Sequence, residues 1–150
     1  MISIANMLNL QIIQLHGDED ISICKAIKYQ GFEVWKAIGI GTKSNWESLE
    51  PFLPFVDAFL FDTESESRGG TGQSFDHELL SDYPYKKPFL LSGGIGPDFR
   101  SLPYYFDRLP FLGLDLNSRF EDEPGLKNIH RISTFLDFWR NRAHADKHTI

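Results

Sequence analysis

The sequence predicts an α/β fold: a parallel (β/α) barrel of TIM type, incomplete, with about five βα units forming a single partial-barrel domain over residues 1–150. Three observations predict it. First, apolar strand runs close on small or polar residues, in Gln14-Leu15-His16-Gly17, Phe61-Asp62-Thr63, Leu91-Ser92-Gly93-Gly94 and Asp115-Leu116-Asn117-Ser118. A barrel of this kind builds its active site from the carboxyl ends of its strands. Second, the strands are apolar on both faces, as in a parallel sheet covered by helices. Third, 150 residues suffice for one core but fall short of the roughly 200–250 residues of a closed eight-fold barrel.

Met1 to Asn9 reads as the tail of a helix or a connection. Leu10 to Leu15 is a short β-prone run. Asp18-Glu19-Asp20 then suits a helix N-terminus, where carboxylates meet the positive end of the dipole. That helix carries Ile23, Ala26 and Ile27 on one face and stops at Gly31. Glu33 to Ile38 is the next strand, Gly39 to Thr42 a loop, and Ser44 or Asn45 caps a helix through Leu53. Asp57 to Asp62 is a strand followed by a long polar loop, Thr63 to Ser74, and a short helix from Phe75 capped by Ser74 or Asp76. Pro88 to Ser92 forms another strand. Pro97-Asp98 opens a helix that Pro103 disturbs. Phe111 to Leu116 is the last strand and Ile129 to Arg142 the last helix, with a frayed polar tail beyond.

Bulk composition narrows the function classes. The chain is 41% hydrophobic and 24% charged, which places it with folded rather than disordered proteins. A net charge of −6 and the lack of a basic stripe argue against a nucleic-acid partner. No apolar run approaches a membrane span. The lone cysteine, Cys24, cannot make an internal disulfide, has no cluster of metal ligands around it, and sits in a helical segment where packing is its expected role. A reducing cytoplasm is the expected location.

Several residues carry chemistry. Ser92-Gly93-Gly94-Ile95-Gly96-Pro97 joins a strand to a helix, where glycines admit a ligand and helix-start N–H groups bind phosphate. Alone it reads as a tight turn. With Asp115, Asn117 and Ser118 at the end of the next strand it predicts a phosphate site, since the last two barrel loops frequently hold one. Asp62 is either a cap for its loop or a functional acid, which burial beside Phe59 and Phe61 would suit to proton donation. His16 is open to the same two readings, structural or functional. The Arg68 to Asp76 loop lacks the order of a P-loop or a dinucleotide fingerprint, and is either a mobile cover over a pocket or an ordinary surface loop.

Taken together, Gln14 to Gly17, Phe61-Asp62-Thr63, Gly69-Gly70-Thr71-Gly72 with Phe75-Asp76, Leu91 to Gly94, and Asp115 to Glu121 followed by Pro124-Gly125-Leu126-Lys127 resemble the phosphoribosylanthranilate isomerases of tryptophan biosynthesis. The resemblance runs from about Gln11 to Phe138. It implies a (β/α)8 barrel and an Amadori rearrangement of a phosphoribosyl aminal to an amino-ribulose phosphate, with no cofactor and no metal. It places Asp62 at the general-acid position, His16 near the bound phosphosugar, Gly70, Thr71 and Gly72 in the loop over it, and Gly93, Gly94, Asp115, Asn117 and Ser118 in the phosphate segments.

Asn117 and Arg119 stand where many members have Ser and Gly, and Gln73 where Lys is frequent. Nothing here matches the family's opening Lys-Ile-Cys-Gly strand, whose cysteine is the general base. By order, the strands present are the fourth to the eighth. The expectation is a chain truncated at its N-terminus, with Met1 internal to a longer frame, inactive alone. Its expected partners are the substrate and either an edge-mediated homodimer or a complementing N-terminal fragment. A non-catalytic phosphosugar-binding module and another phosphate-binding barrel enzyme are the competing readings.

Overall fold

Five parallel strands form one open sheet in sequence order: β1 (Ile12–Leu15), β2 (Glu33–Ile40), β3 (Ala58–Thr63), β4 (Phe89–Leu91) and β5 (Phe111–Leu114). The computed structural model describes residues 1–64 and 75–145, with side chains to residue 141. Gly70, Thr71 and Gly72 lie outside the described residues. Helix α1 (Ile2–Met7) precedes the sheet, α2 (Ile21–Tyr29) joins β1 to β2, and α3 (Ile129–Ala145) closes the chain. Order 1-2-3-4-5 with parallel pairing is the topology of a barrel wall built from successive βα units. β1 and β5 are the edge strands.

Register and alternation separate the two faces. Val34 pairs with Ile13, Phe59 with both Lys36 and Phe89, and Phe61 with both Ile38 and Leu91. On this face Ile13, Leu15, Val34, Ile40, Phe59, Phe61, Phe89 and Leu91 enter the core with Cys24, Ile27, Leu49 and Phe106. Phe61 is the hub: its ring centroid lies 5.0 Å from Phe89, 5.3 Å from Tyr83 and 5.5 Å from Trp46. Such tilted and edge-on contacts suit the ring quadrupoles. The opposite face carries Gln14, Trp35, Ala37, Leu60 and Asp62. Leu60 and Ala37 are buried there, whereas Gln14 and Ile12 are exposed toward β1's free edge.

The connections depart from expectation in several places. Asp20 caps α2 by accepting from the Ser22 and Ile23 N–H groups, but the buried stripe is Cys24 and Ile27, with Ile23 and Ala26 outward. β2 continues through Gly39 to Ile40, because β3 supplies pairing partners Asp62 and Thr63 for both. The expected helix at Ser44 to Leu53 is a 3₁₀ turn over Trp46–Phe52 that contains Pro51, and Asn45 makes no side-chain cap bond. A second 3₁₀ turn, His77–Asp82, is capped by Asp76.

The helix expected at Pro97-Asp98 is absent. Phe99 N–H closes one turn onto Gly96 O, and a separate 3₁₀ turn, Tyr104–Arg108, starts after Pro103. Proline has no N–H to continue a helical ladder. A small antiparallel hairpin, β6 (Glu121–Glu123) with β7 (Leu126–Lys127), was not evident from the strand patterns because its strands are short and polar.

Candidate active site

The site forms along one row at the carboxyl ends of the strands. Phe61 is in register with Leu91, and Leu91 with Leu114, so Asp62, Ser92 and Asp115 follow at the same level. Two backbone bonds continue that register beyond the strands: Ser92 N–H to Phe61 O (2.8 Å) and Asp115 N–H to Leu91 O (2.8 Å). Ser92 Oγ lies 3.2 Å from Asp115 Oδ2, to which it donates. Ser92 is nearly fully buried, and it is a site residue that sequence reading passed over in favour of its glycine neighbours.

Asp62 does not share a face with Phe59 and Phe61, and the expected burial among them does not occur. Alternation turns its carboxylate to the other face, where its side chain keeps 30% of its exposure. His16 Nε2 stands 3.4 Å from Asp62 Oδ2, bringing the two expected residues together across 46 positions of chain. Gln14 Nε2 lies 3.2 Å from His16 Nδ1. An amide nitrogen only donates, so Nδ1 accepts and the neutral ring carries its proton on Nε2, toward Asp62.

Asp62 Oδ1 accepts from Thr63 N–H at 2.8 Å, so the capping role and the outward-facing second oxygen coexist. Gly93 presses on the same carboxylate. Its φ of +80° belongs to the left-handed region, and a Cβ there would meet Thr63 Oγ1 and stand 2.9 Å from Asp62 Oδ1.

The two expected phosphate segments also converge. Arg119 donates to Gly94 O at 2.9 Å and pairs with Asp98 at 2.8 Å, lying over Gly96, where a Cβ would come within 2.5 Å of its Nε. Asn117 Nδ2 donates to Asp115 Oδ2 (3.0 Å), and Lys127 Nζ donates to Asn117 Oδ1 (3.0 Å). Lys127 also binds Glu121 at 2.7 Å; that bond and the Gly125 N–H hold the Glu121 carboxyl below its ordinary range. Ser118 is exposed beside them. With no helix after Gly94, an anion here meets turn N–H groups and side-chain donors rather than a helix start. Among the described residues no group of three metal-ligating side chains occurs.

Cys24 lies apart from this row, fully buried in α2, and burial pushes its thiol above the usual range.

A parallel sheet in sequence order, with an acid, an imidazole and a glycine-lined turn at the strand ends, defines the wall of a (β/α)-barrel of TIM type. Solved structures agree on the fold. The phosphoribosyl anthranilate isomerase from Thermus thermophilus superposes with a TM-score of 0.76 at 22% identity, covering 93% of this chain and 66% of that one. The N-(5'-phosphoribosyl)anthranilate isomerase from Pyrococcus furiosus gives 0.65 at 22% identity, covering 93% of this chain and 67% of that one.

Residues 1–138 match the family model for N-(5'phosphoribosyl)anthranilate (PRA) isomerase, and the chain belongs to that family. It is 41% identical over 136 residues to the N-(5'-phosphoribosyl)anthranilate isomerase of Parabacteroides distasonis, covering 91% of this chain and 62% of that protein. To the enzyme of the same name from Phocaeicola vulgatus it is 39% identical over 133 residues, covering 89% and 65%. The chain thus spans less than two thirds of the length of these curated relatives.

Proposed function

We propose that this chain supplies the acid and phosphate-binding wall of a phosphoribosylanthranilate isomerase acting in tryptophan biosynthesis. The observation that carries the reading is the row Asp62–Ser92–Asp115, with His16 Nε2 3.4 Å from Asp62 and Gly93 packed against it. In the proposed step, protonated Asp62 gives its proton to the furanose ring oxygen as the C1–O bond breaks, leaving an iminium between C1 and the anthranilate nitrogen. A base then takes the C2 proton, and the enolamine formed tautomerises to the amino-ketose. Every atom is retained, so the step as written needs only an acid and a base. His16 donates to the Asp62 side of the substrate, and Asp115, accepting from Ser92 Oγ and from one N–H of Asn117 Nδ2, orients Asn117 as a donor. The Gly93-Gly94 turn, with Asn117 and Ser118, receives the phosphate.

No described residue at these strand ends is assigned as the base. Cys24 is buried in α2 and cannot reach C2. A base-bearing segment docked along the free edges of β1 and β5 completes the site, and the chain alone is inactive. A complementing segment fits those edges better than a homodimer does, because parallel edges call for parallel strands joined by crossover helices. We place the protein in the cytoplasm; among the described residues no helix is long and apolar enough to cross a membrane.

The test is turnover of N-(5'-phosphoribosyl)anthranilate by the chain alone and by the chain co-expressed with the amino-terminal third of the Parabacteroides distasonis relative. The chain alone is expected to be silent and the pair active. Asp62→Asn should lower kcat of the pair by about 10²–10⁴-fold. Turnover by the chain alone, or a pair indifferent to Asp62→Asn, overturns the reading.

A further inference from the structure

Lys36 stands on the core face of β2, in register with Leu15 and Phe59, and is only 4% exposed. An ammonium there needs an acceptor for each proton, and it has them: Gly17 O at 2.6 Å, Glu19 Oε2 at 3.2 Å and Ala37 O at 3.2 Å. The same Glu19 oxygen accepts from Gly17 N–H at 2.9 Å. Burial pushes the Glu19 carboxyl up, but the backbone N–H groups of Glu19 and Gly17 and the Lys36 ammonium outweigh it and hold the group below its ordinary range. Both polar groups of Gly17 are therefore pinned by two side chains that never reach the site.

Gly17 follows His16. The imidazole's own contacts do little to fix it: it is half exposed, and its bonds to Gln14 and Asp62 are long at 3.2 and 3.4 Å. The short bonds in this region are on the backbone one residue away. A buried ion pair contributes little net stability over apolar residues of similar size, so the fold alone does not call for a lysine at this core position.

We propose that Lys36 and Glu19 are positioning residues, a buried bracket on the Gly17 peptide that holds the His16 imidazole against Asp62. The proposal rests on the assignment of His16 and Asp62 to the site, but its test reads geometry in the 150-residue chain and needs no turnover. Isomerase activity and the bracket therefore fail independently.

The experiment compares wild type, Glu19→Gln, Lys36→Met and Asp57→Asn by NMR. It follows Gly17 amide exchange, the three-bond couplings about His16 χ1 and the His16–Asp62 nuclear Overhauser contacts. Wild type should hold His16 in one rotamer. Glu19→Gln, nearly isosteric and leaving Lys36 its two carbonyl acceptors, should speed Gly17 exchange about tenfold or more and average the His16 rotamer, with Leu15 exchange unchanged. Lys36→Met should do the same or more. Asp57→Asn, which breaks a different ion pair elsewhere in the sheet, should leave His16 in place. A single His16 rotamer in Glu19→Gln despite faster Gly17 exchange overturns the proposal. So does averaging in Asp57→Asn equal to that in Glu19→Gln, which would mark general loosening. If Lys36→Met does not fold, Glu19→Gln alone decides.

Discussion

Gly93→Ala tests the packing of the β4 turn against Asp62. The new Cβ would meet Thr63 Oγ1, stand 2.7 Å from Thr63 N and 2.9 Å from Asp62 Oδ1. All three neighbours are oxygen or nitrogen atoms already engaged: Thr63 N–H binds Asp62 Oδ1, and Thr63 Oγ1 accepts from Phe75 N–H. They cannot yield cheaply. Forcing φ of +80° on alanine costs about 1–2 kcal/mol, and the overpacking adds about 1–3 kcal/mol. Gly125 is the control: its φ is +83°, but nothing lies within 4 Å of its would-be Cβ. Gly125→Ala should cost only the conformational term, about 1–2 kcal/mol. Urea unfolding of both variants isolates the contact as a gap of about 1–3 kcal/mol. Equal losses would mean that the turn does not press on Asp62, and the site geometry drawn from it would be wrong.

The remaining predictions concern the layers behind the site. Phe61→Ala removes the hub of the aromatic cluster and should lower unfolding free energy by about 3–5 kcal/mol in urea. Burial raises the Asp57 carboxyl, but its bonds from Lys28 and Val34 N–H reverse this and hold it below its ordinary value. Its stabilisation is therefore complete above the ordinary aspartate range, about pH 4, and is lost as pH falls through the depressed folded value. Urea midpoints of wild type and Asp57→Asn should differ at pH 6 and converge toward pH 3. Burial between Phe75 and Phe99 pushes the His77 imidazole below its ordinary range. Acidifying from about pH 7.5 to 5.5 should then lower Tm, because the unfolded chain takes up the proton first, and His77→Leu should flatten that slope. Cys24 should react with a thiol reagent such as Ellman's only on unfolding; prompt labelling of the native chain would contradict its full burial.

Much of this was legible in the chain itself. Strands apolar on both faces predict a parallel covered sheet, because only helices can bury the second face. The strand ends at His16, Asp62, Gly93 and Asp115 mark the candidate site because a barrel gathers those ends on one side. The helical segments were less legible. Between Pro97 and Arg108 the local composition suits a helix, but Pro103 and single-turn bonds leave one turn and a 3₁₀ segment. The hairpin at Glu121 to Lys127 has no apolar alternation to announce it, being held by Lys127 and Glu121 at its rim.

The order of strands and the family were determined by the linear pattern, since they depend on which residue types follow which. Which of those residues meet was decided only by register. Asp62 turns from Phe61 to the opposite face, His16 reaches it across β2, and Ser92 becomes the buried link to Asp115. Lys36 reads as one polar residue in an apolar strand. Its bracket on Gly17 exists because parallel pairing puts it beside Leu15, where its ammonium and Glu19 close on the same peptide. Composition and spacing carry no record of such a contact, because it is made between strands rather than along one.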